Sequence, residues 1–315
     1  MTSFSTIRSG RRGPALATRT RLLPFAVALL LIAPAGVAAK DYEPWGPAVP
    51  EVGINTAAAE GCPIESPNGL ELFIASTRAG AVGGATDPND IWSFRRASVD
   101  APWGPAIHLP APVNSAAADF CPTPLSGKRL FFVSARAGGC GAGDIYRTRK
   151  HPVRGWRTPT NLGCQATGGP NFAGGEFSPS IVETDSGTYL FYSSTGLDGL
   201  DQDIYVSHMR SDGTFGPGSE VPGLNTASND QMPNVSRDGR EIVFSSDRPG
   251  TIGAMDVYSA TRSSTTGAWS APVNLGSNVN TTAAETRPSL SGDGLRLHFG
   301  RLGDILVAER VKATP

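Results

Sequence analysis

The stretch DQMPNVSRDGREIVFSSDRPGTIGAMDVY, Asp230–Tyr258, decides the fold, because its parts return four more times in the same order. An acid stands three residues before a proline at Glu60/Pro63, Asp119/Pro122, Glu176/Pro179, Asp230/Pro233 and Glu285/Pro288, with the acids 59, 57, 54 and 55 residues apart. A β-rich run follows each time: Leu70–Ser76, Leu130–Ser134, Tyr189–Ser194, Glu241–Ser246 and Leu295–Phe299. Next comes Asp before a β-branched residue, at Asp90-Ile91, Asp144-Ile145, Asp203-Ile204, Asp256-Val257 and Asp304-Ile305. An aromatic opens a further extended segment at Trp45, Trp103, Trp156, Phe215 and Trp269. Markers that keep one order at one period are the mark of a repeat architecture.

Each unit reads as four short strands. The first runs from the acid through the proline to a turn such as Ser236-Arg237-Asp238-Gly239 or Ser291-Gly292-Asp293-Gly294. Asp-Gly favours a hairpin because the tight turn needs positive φ. The second strand alternates apolar with small or polar residues, and the third starts at the Asp-Ile step. The fourth is a Trp-Gly-Pro type of strand, where proline is tolerated because an edge strand need not donate every N–H. Four-stranded antiparallel sheets repeated radially make an all-β, five-bladed β-propeller. The units run over about 45–102, 103–155, 156–214, 215–268 and 269–315. The repeat enters at an outer strand (Trp45–Val49) and stops after a third strand (Asp304–Val311), so Trp45–Val49 is expected to complete the fifth blade and hide the sheet edges.

The Pro-x-x-Ser-x-Asp-Gly turn, the following Phe-Ser-Ser-Asp-Arg and the Asp-Val-Tyr step of Pro233–Tyr258 resemble the WD40-like (PD40) repeat of TolB-type periplasmic propellers. The resemblance spans residues 45–311. It implies a propeller that binds partners or cell-envelope components, or one related to propeller domains attached to enzymes.

Residues 1–39 read as a signal peptide. Arg8, Arg11, Arg12, Arg19 and Arg21 precede the apolar run Leu22–Ala39, which ends in Val37-Ala38-Ala39 and suits cleavage after Ala39. Pro24, Pro34 and Gly36 interrupt that run, and a bilayer span takes about 20 apolar residues. A retained anchor is the alternative. Twin-arginine export through Arg11-Arg12 is weakly indicated, since the pair lies far ahead of the apolar run. Residues 40–315 then carry 22 basic and 28 acidic side chains, which argues against nucleic acid as a partner. A periplasmic or secreted monomer with no membrane span after cleavage is expected.

Cys62, Cys121, Cys140 and Cys164 allow three pairings of two disulfides. Cys140 and Cys164 fall in loops of the same face, so Cys140–Cys164 is expected. Cys62–Cys121 follows from equivalent positions in adjacent units, against the roughly 7 Å Cα limit. There is no Cys-x-x-Cys, and the four histidines, His108, His151, His208 and His298, share no repeat position.

The acids Glu60, Asp119, Glu176, Asp230 and Glu285 should open the innermost strands near one mouth of the channel. There they either face a ligand or cation, or pair with Arg78, Arg136, Arg248 and Arg301, which recur in step. Pairing is favoured because a lone buried acid is costly. Unit three departs from the pattern. It has Thr195 where the others have arginine, a Gly-rich insertion Gln165–Gly175, and Asp198, Asp201 and Asp203 in its next loop. Those three aspartates suit calcium, which takes several oxygens, though not in the spacing of a calcium hand. No other cofactor is implied. The Asp of each Asp-Ile step is expected to cap a turn.

No Gly-x-Ser-x-Gly elbow, phosphate loop or His-Glu-x-x-His occurs. The expectation is therefore a non-catalytic binding scaffold that engages a protein partner or cell-envelope glycan at the channel face near unit three. Two alternatives stand beside it. One is a glycoside hydrolase-like propeller using channel-mouth carboxylates. The other is a calcium-stabilised structural module.

Overall fold

The computed structural model describes residues 42–80, 89–197 and 199–314. The expected signal peptide at 1–39 and Asp198 of the unit-three loop lie outside them.

Strand β1 (Val49–Pro50) precedes the first blade, which holds β2 (Glu60–Glu65), β3 (Glu71–Ser76), β4 (Asp90–Arg95) and β5 (Ile107–His108). The second has β6 (Asp119–Leu125), β7 (Arg129–Ser134), β8 (Asp144–His151), β9 (Gly155–Trp156) and β10 (Thr160–Asn161). Blade three has β11 (Glu176–Thr184), β12 (Gly187–Ser194), β13 (Asp203–His208) and β14 (Ser219–Glu220). Blade four has β15 (Asp230–Val235), β16 (Glu241–Ser246), β17 (Asp256–Thr261) and β18 (Val273–Asn274). Blade five has β19 (Glu285–Leu290), β20 (Arg296–Arg301) and β21 (Asp304–Glu309). Pairing is antiparallel within each blade. Innermost strands touch in the order β2, β6, β11, β15, β19 and back to β2, so the protein is a five-bladed β-propeller.

The ring closes where the repeat pattern places the closure. Val49 pairs with Val307 and Pro50 with Leu306, so β1 becomes the outer strand of blade five. Trp45 is buried against Val243, Leu297 and Phe299, which anchors the closing segment in the core between blades four and five. Outer strands are only two residues long and follow the marker aromatic by a few residues, because Gly-Pro steps cannot sustain a ladder.

A bulge recurs in every innermost strand. Register shifts between Gly61 and Ile64, Phe120 and Thr123, Phe177 and Ser180, Gln231 and Asn234, and Thr286 and Ser289. At its centre, two residues past each acid, Cys62, Cys121, Ser178, Met232 and Arg287 all take positive φ, between 46° and 57°. The acid-x-x-Pro signature thus encodes a bulge in which proline, lacking an N–H, ends the first stretch of pairing. Cys62, Cys121, Ser178 and Arg287 line a small cavity of about 20 Å³ together with the repeated prolines.

At every junction an asparagine side chain ties neighbouring blades. Asn114 accepts from the Ile91 N–H at 2.9 Å and donates to the Ile91 carbonyl at 3.0 Å. Asn55 does the same for Ile305, Asn171 for Ile145, Asn225 for Ile204 and Asn280 for Val257. Each asparagine lies five residues before the acid of its own unit and grips the Asp-Ile step of the preceding blade. Both polar groups of that buried peptide are satisfied, which a dry inter-blade junction requires.

Candidate functional site

Four of the five repeated acids are closed into the scaffold. Glu60 accepts from Thr56 Oγ1 at 2.7 Å, Ser76 Oγ at 3.1 Å and Arg78 Nη2 at 3.0 Å. Asp119 accepts from the Ser115 N–H at 2.6 Å, Ser115 Oγ at 2.7 Å and Arg136 Nη2 at 2.7 Å. Asp230 takes Thr226 Oγ1 at 2.8 Å, Ser246 Oγ at 2.6 Å and the Arg248 guanidinium. Glu285 takes Thr281 Oγ1 at 2.6 Å and Arg301 Nε at 2.6 Å. All four carboxylates are buried and turn into their own blade's loop. None lines the channel cavity.

Arg78, Arg136 and Arg248 stand two residues past a strand-ending serine. Arg301 instead occupies the serine register itself, directly opposite Glu285. Each guanidinium rests on aromatic rings: Arg136 over Phe132 and Tyr146 at 5.3 and 5.1 Å, and Arg248 over Phe244 and Tyr258 at 5.0 and 5.1 Å.

Blade three is built differently around Glu176. Its β12 ends at Ser194, so the arginine register falls on Gly196, and Thr195 is one position short of it. Gly196 has φ +61°, and a Cβ there would come within 2.1 Å of the Tyr205 hydroxyl oxygen. The hydroxyl residue four before the acid is replaced by Phe172. The aromatic pair that elsewhere cradles a guanidinium is present as Tyr192 and Tyr205, but Phe172 packs on it, with ring centroids 6.5 and 4.8 Å away. Glu176 keeps only the Phe172 N–H at 2.8 Å and Ser194 Oγ at 3.2 Å, both on Oε1. Oε2 is buried with no hydrogen-bond partner. Burial pushes the carboxyl up to about 8, and the nearby charge of Asp144 adds to the shift. Glu176 is therefore a neutral acid at pH 7, held in an apolar aromatic pocket. Burial, followed by the charges of Glu176 and Tyr205, raises Tyr192 as well.

Two of the Asp-Ile aspartates accept loop N–H groups: Asp256 takes Ile252 N at 2.6 Å and Gly253 N at 3.1 Å, and Asp144 takes Gly141 N at 3.1 Å. Asp90 meets His108 Nε2 at 2.6 Å. Cys140–Cys164, with Cα atoms 5.5 Å apart, staples the β7–β8 loop to the 3₁₀ turn Gln165–Thr167. Those loops meet again above Glu176, where the Ala142 N–H bonds the Gly174 carbonyl at 2.7 Å and the Glu176 N–H bonds Gly143 at 2.9 Å. Cys62–Cys121 joins the innermost strands of adjacent blades one and two, whose bulges bring the two Cα atoms to 4.8 Å. Two disulfides accord with an oxidising compartment outside the cytoplasm. Among the described residues no helix is long and apolar enough to cross a membrane, and no group of three His, Cys, Asp or Glu side chains is placed to hold a metal ion.

Sequence reading misses the asparagine ties, although Asn stands five residues before each acid. The lack of an arginine partner at Glu176 is the departure that unit three shows at Thr195, and a second signal of it is the Thr or Ser four residues before the acid in every unit except the third.

No family model matches the chain, and no curated protein matches it. Solved structures do. The catalytic domain of the family-62 α-L-arabinofuranosidase of Coprinopsis cinerea aligns with TM-score 0.55 and 13% identity, covering 87% of this chain and 98% of its own. A thermostable family-43 glycoside hydrolase aligns with TM-score 0.52 and 14% identity, covering 85% and 98%. A TolB structure from Agrobacterium tumefaciens reaches 0.43 at 17% identity, covering 82% and 78%, a level that carries no argument. These likenesses fix the fold. They also overturn the expectation of a non-catalytic scaffold engaging a protein partner or envelope glycan, since most of the similar propellers are glycoside hydrolases. That expectation rested on the regular repeat and the lack of a catalytic motif; four of the repeated acids are paired with arginine and Glu176 is not.

Proposed function

We propose that this chain is a glycoside hydrolase-like propeller acting on glycans in the periplasm or outside the cell. The observation that carries the reading is Glu176, the one repeated acid deprived of its cation and kept protonated at neutral pH. A carboxyl group held neutral by an apolar pocket, with a second carboxylate near it, is the working pair of glycosidic bond cleavage. In this reading Glu176 donates its proton to the leaving oxygen and Asp144 is the nearby negative group. The loop Gln165–Gly175 covers Glu176, so a substrate engages when that glycine-rich segment lifts. The arabinofuranosidase and family-43 neighbours support a carbohydrate substrate and suggest pentose-containing glycans as the first to test. The PD40-like motif of Pro233–Tyr258 describes the blades and leaves the substrate open.

The test is turnover of arabinofuranosides, xylosides and hexosides by the purified protein, beside Glu176→Gln and Asp144→Asn. Release of sugar by the wild type and its loss in Glu176→Gln support the reading. Equal release by Glu176→Gln, or none by the wild type across the panel, contradicts it.

A further inference from the structure

A cleft lies at the other end of the ring. Innermost strands begin at the acids and end at the hairpin turns, so the Ser66–Leu70 and Ser126–Lys128 turns lie at the end opposite Glu176. Between blades one and two these turns frame a cleft of about 690 Å³ that also takes in the outer strand at His108 and the side chains of Lys150 and Trp156. Cavities of roughly 300–1,000 Å³ are of ligand size. The cleft continues through Pro124, Leu125, Ser126 and Arg237 into a second hollow of about 200 Å³ at the channel mouth. A trough of that shape fits a chain better than a compact molecule.

Its charge runs against the rest of the protein. Residues 40–315 carry more acids than bases, yet six lysines and arginines line the cleft against one acid, Glu71. Glu71 is engaged by Arg95 at 3.1 Å, and Arg129 is held by Glu183 at 2.7 and 2.9 Å. Arg96 bonds Glu65 at 2.9 Å. Lys128 and Arg237 are exposed and have no acidic partner among the described residues, and Lys150 lies 5.6 Å from the centre of the Trp156 ring. Lys128 sits at φ 59° in its turn, a conformation few L residues adopt, which fixes where its side chain leaves the backbone. The unpaired charges are thus all positive, and Trp156 adds an aromatic surface of the kind on which a sugar ring packs.

We infer that this cleft binds an anionic oligosaccharide, one bearing carboxylate or sulfate groups, with Lys128, Lys150 and Arg237 meeting the charges and Trp156 a sugar face. A nucleic acid strand fits less well, because three unpaired cations on an acidic protein give no continuous basic track for phosphates. The assignment is separate from the chemistry proposed for Glu176 and stands or falls apart from it.

Calorimetric titration of the whole protein tests it, with hexagalacturonate, a sulfated hexasaccharide, neutral xylohexaose and single-stranded DNA as probes. A charged hexasaccharide should bind at least roughly tenfold tighter than the neutral one, with affinity that falls as salt rises. Which charged sugar binds more tightly tells carboxylate from sulfate. The Lys128→Ala/Arg237→Ala pair should weaken binding about tenfold or more. Both residues are exposed and unpaired, so an unchanged circular dichroism melt is expected for that variant. Trp156→Phe should weaken the charged sugar less than the pair does, and Glu176→Gln should bind like the wild type. Equal binding of xylohexaose, tighter binding of DNA, or undiminished binding by the double variant would overturn the inference.

Discussion

Gly196 occupies, beside Glu176, the register from which Arg78 reaches Glu60, Arg136 reaches Asp119 and Arg248 reaches Asp230. Its missing side chain leaves room for the Tyr205 hydroxyl, and so a buried carboxyl loses its cation. The consequence is that burial raises the Glu176 carboxyl to about 8.

Stability should depend on pH through Glu176. Its folded value, about 8, lies above the unfolded value of 4.5, so the folded state holds the proton that the unfolded state releases. This contribution is fully present below pH 4.5, and stability falls as pH rises from about 4.5 through about 8. Glu176→Gln, which stays neutral, should melt above the wild type at pH 8–9, and the gap should vanish near pH 4. A gap independent of pH would show that Glu176 is ionised in the folded protein.

Breaking an acid–arginine pair should be costly. Arg248→Ala strands Asp230, whose side chain is fully buried, and should destabilise by about 3–5 kcal/mol in chemical denaturation. Placing arginine in the third blade by Gly196→Arg should not rescue anything. The substitution meets the Tyr205 hydroxyl and a backbone at φ +61°, and should lower the melting temperature.

How much of this was legible follows from which residues repeat. Five acids and five Asp-Ile steps mark the first and third strand starts to the residue, and the five aromatics stand four residues before the outer strands, because every blade needs the same turn and cap chemistry. The bulge was hidden, since the residue before a proline is biased toward extended backbone rather than positive φ. Counting along the chain puts Thr195 at the arginine position, because it cannot show that Ser194 pairs with Glu176. The neutrality of Glu176 was also out of reach. It depends on Phe172 filling the Tyr192–Tyr205 cradle, a contact between segments about twenty and thirty residues apart in the chain.

The asparagine ties carry their own test. Asn280→Ala leaves the buried Val257 N–H without a partner, while the Val257 carbonyl keeps the Leu275 N–H at 3.1 Å, and should cost ~1–3 kcal/mol. Hydrogen exchange should show Val257 losing protection before the strands of blade two do.

Both disulfides should contribute to stability through the loops they close. Cys140–Cys164 spans 24 residues and Cys62–Cys121 spans 59. Loop entropy makes these ~3.5 and ~4 kcal/mol, so replacing Cys62 and Cys121 with alanine should lower the unfolding midpoint slightly more than replacing Cys140 and Cys164.

The most direct test of the central claim is the pH–rate profile of glycan hydrolysis by the wild type, measured beside Glu176→Gln. With Glu176 as proton donor, activity should fall through a limb near pH 8, where the carboxyl loses its proton, and Glu176→Gln should be inactive on substrates with poor leaving groups. A profile flat through pH 8, or full activity in Glu176→Gln, would contradict the assignment.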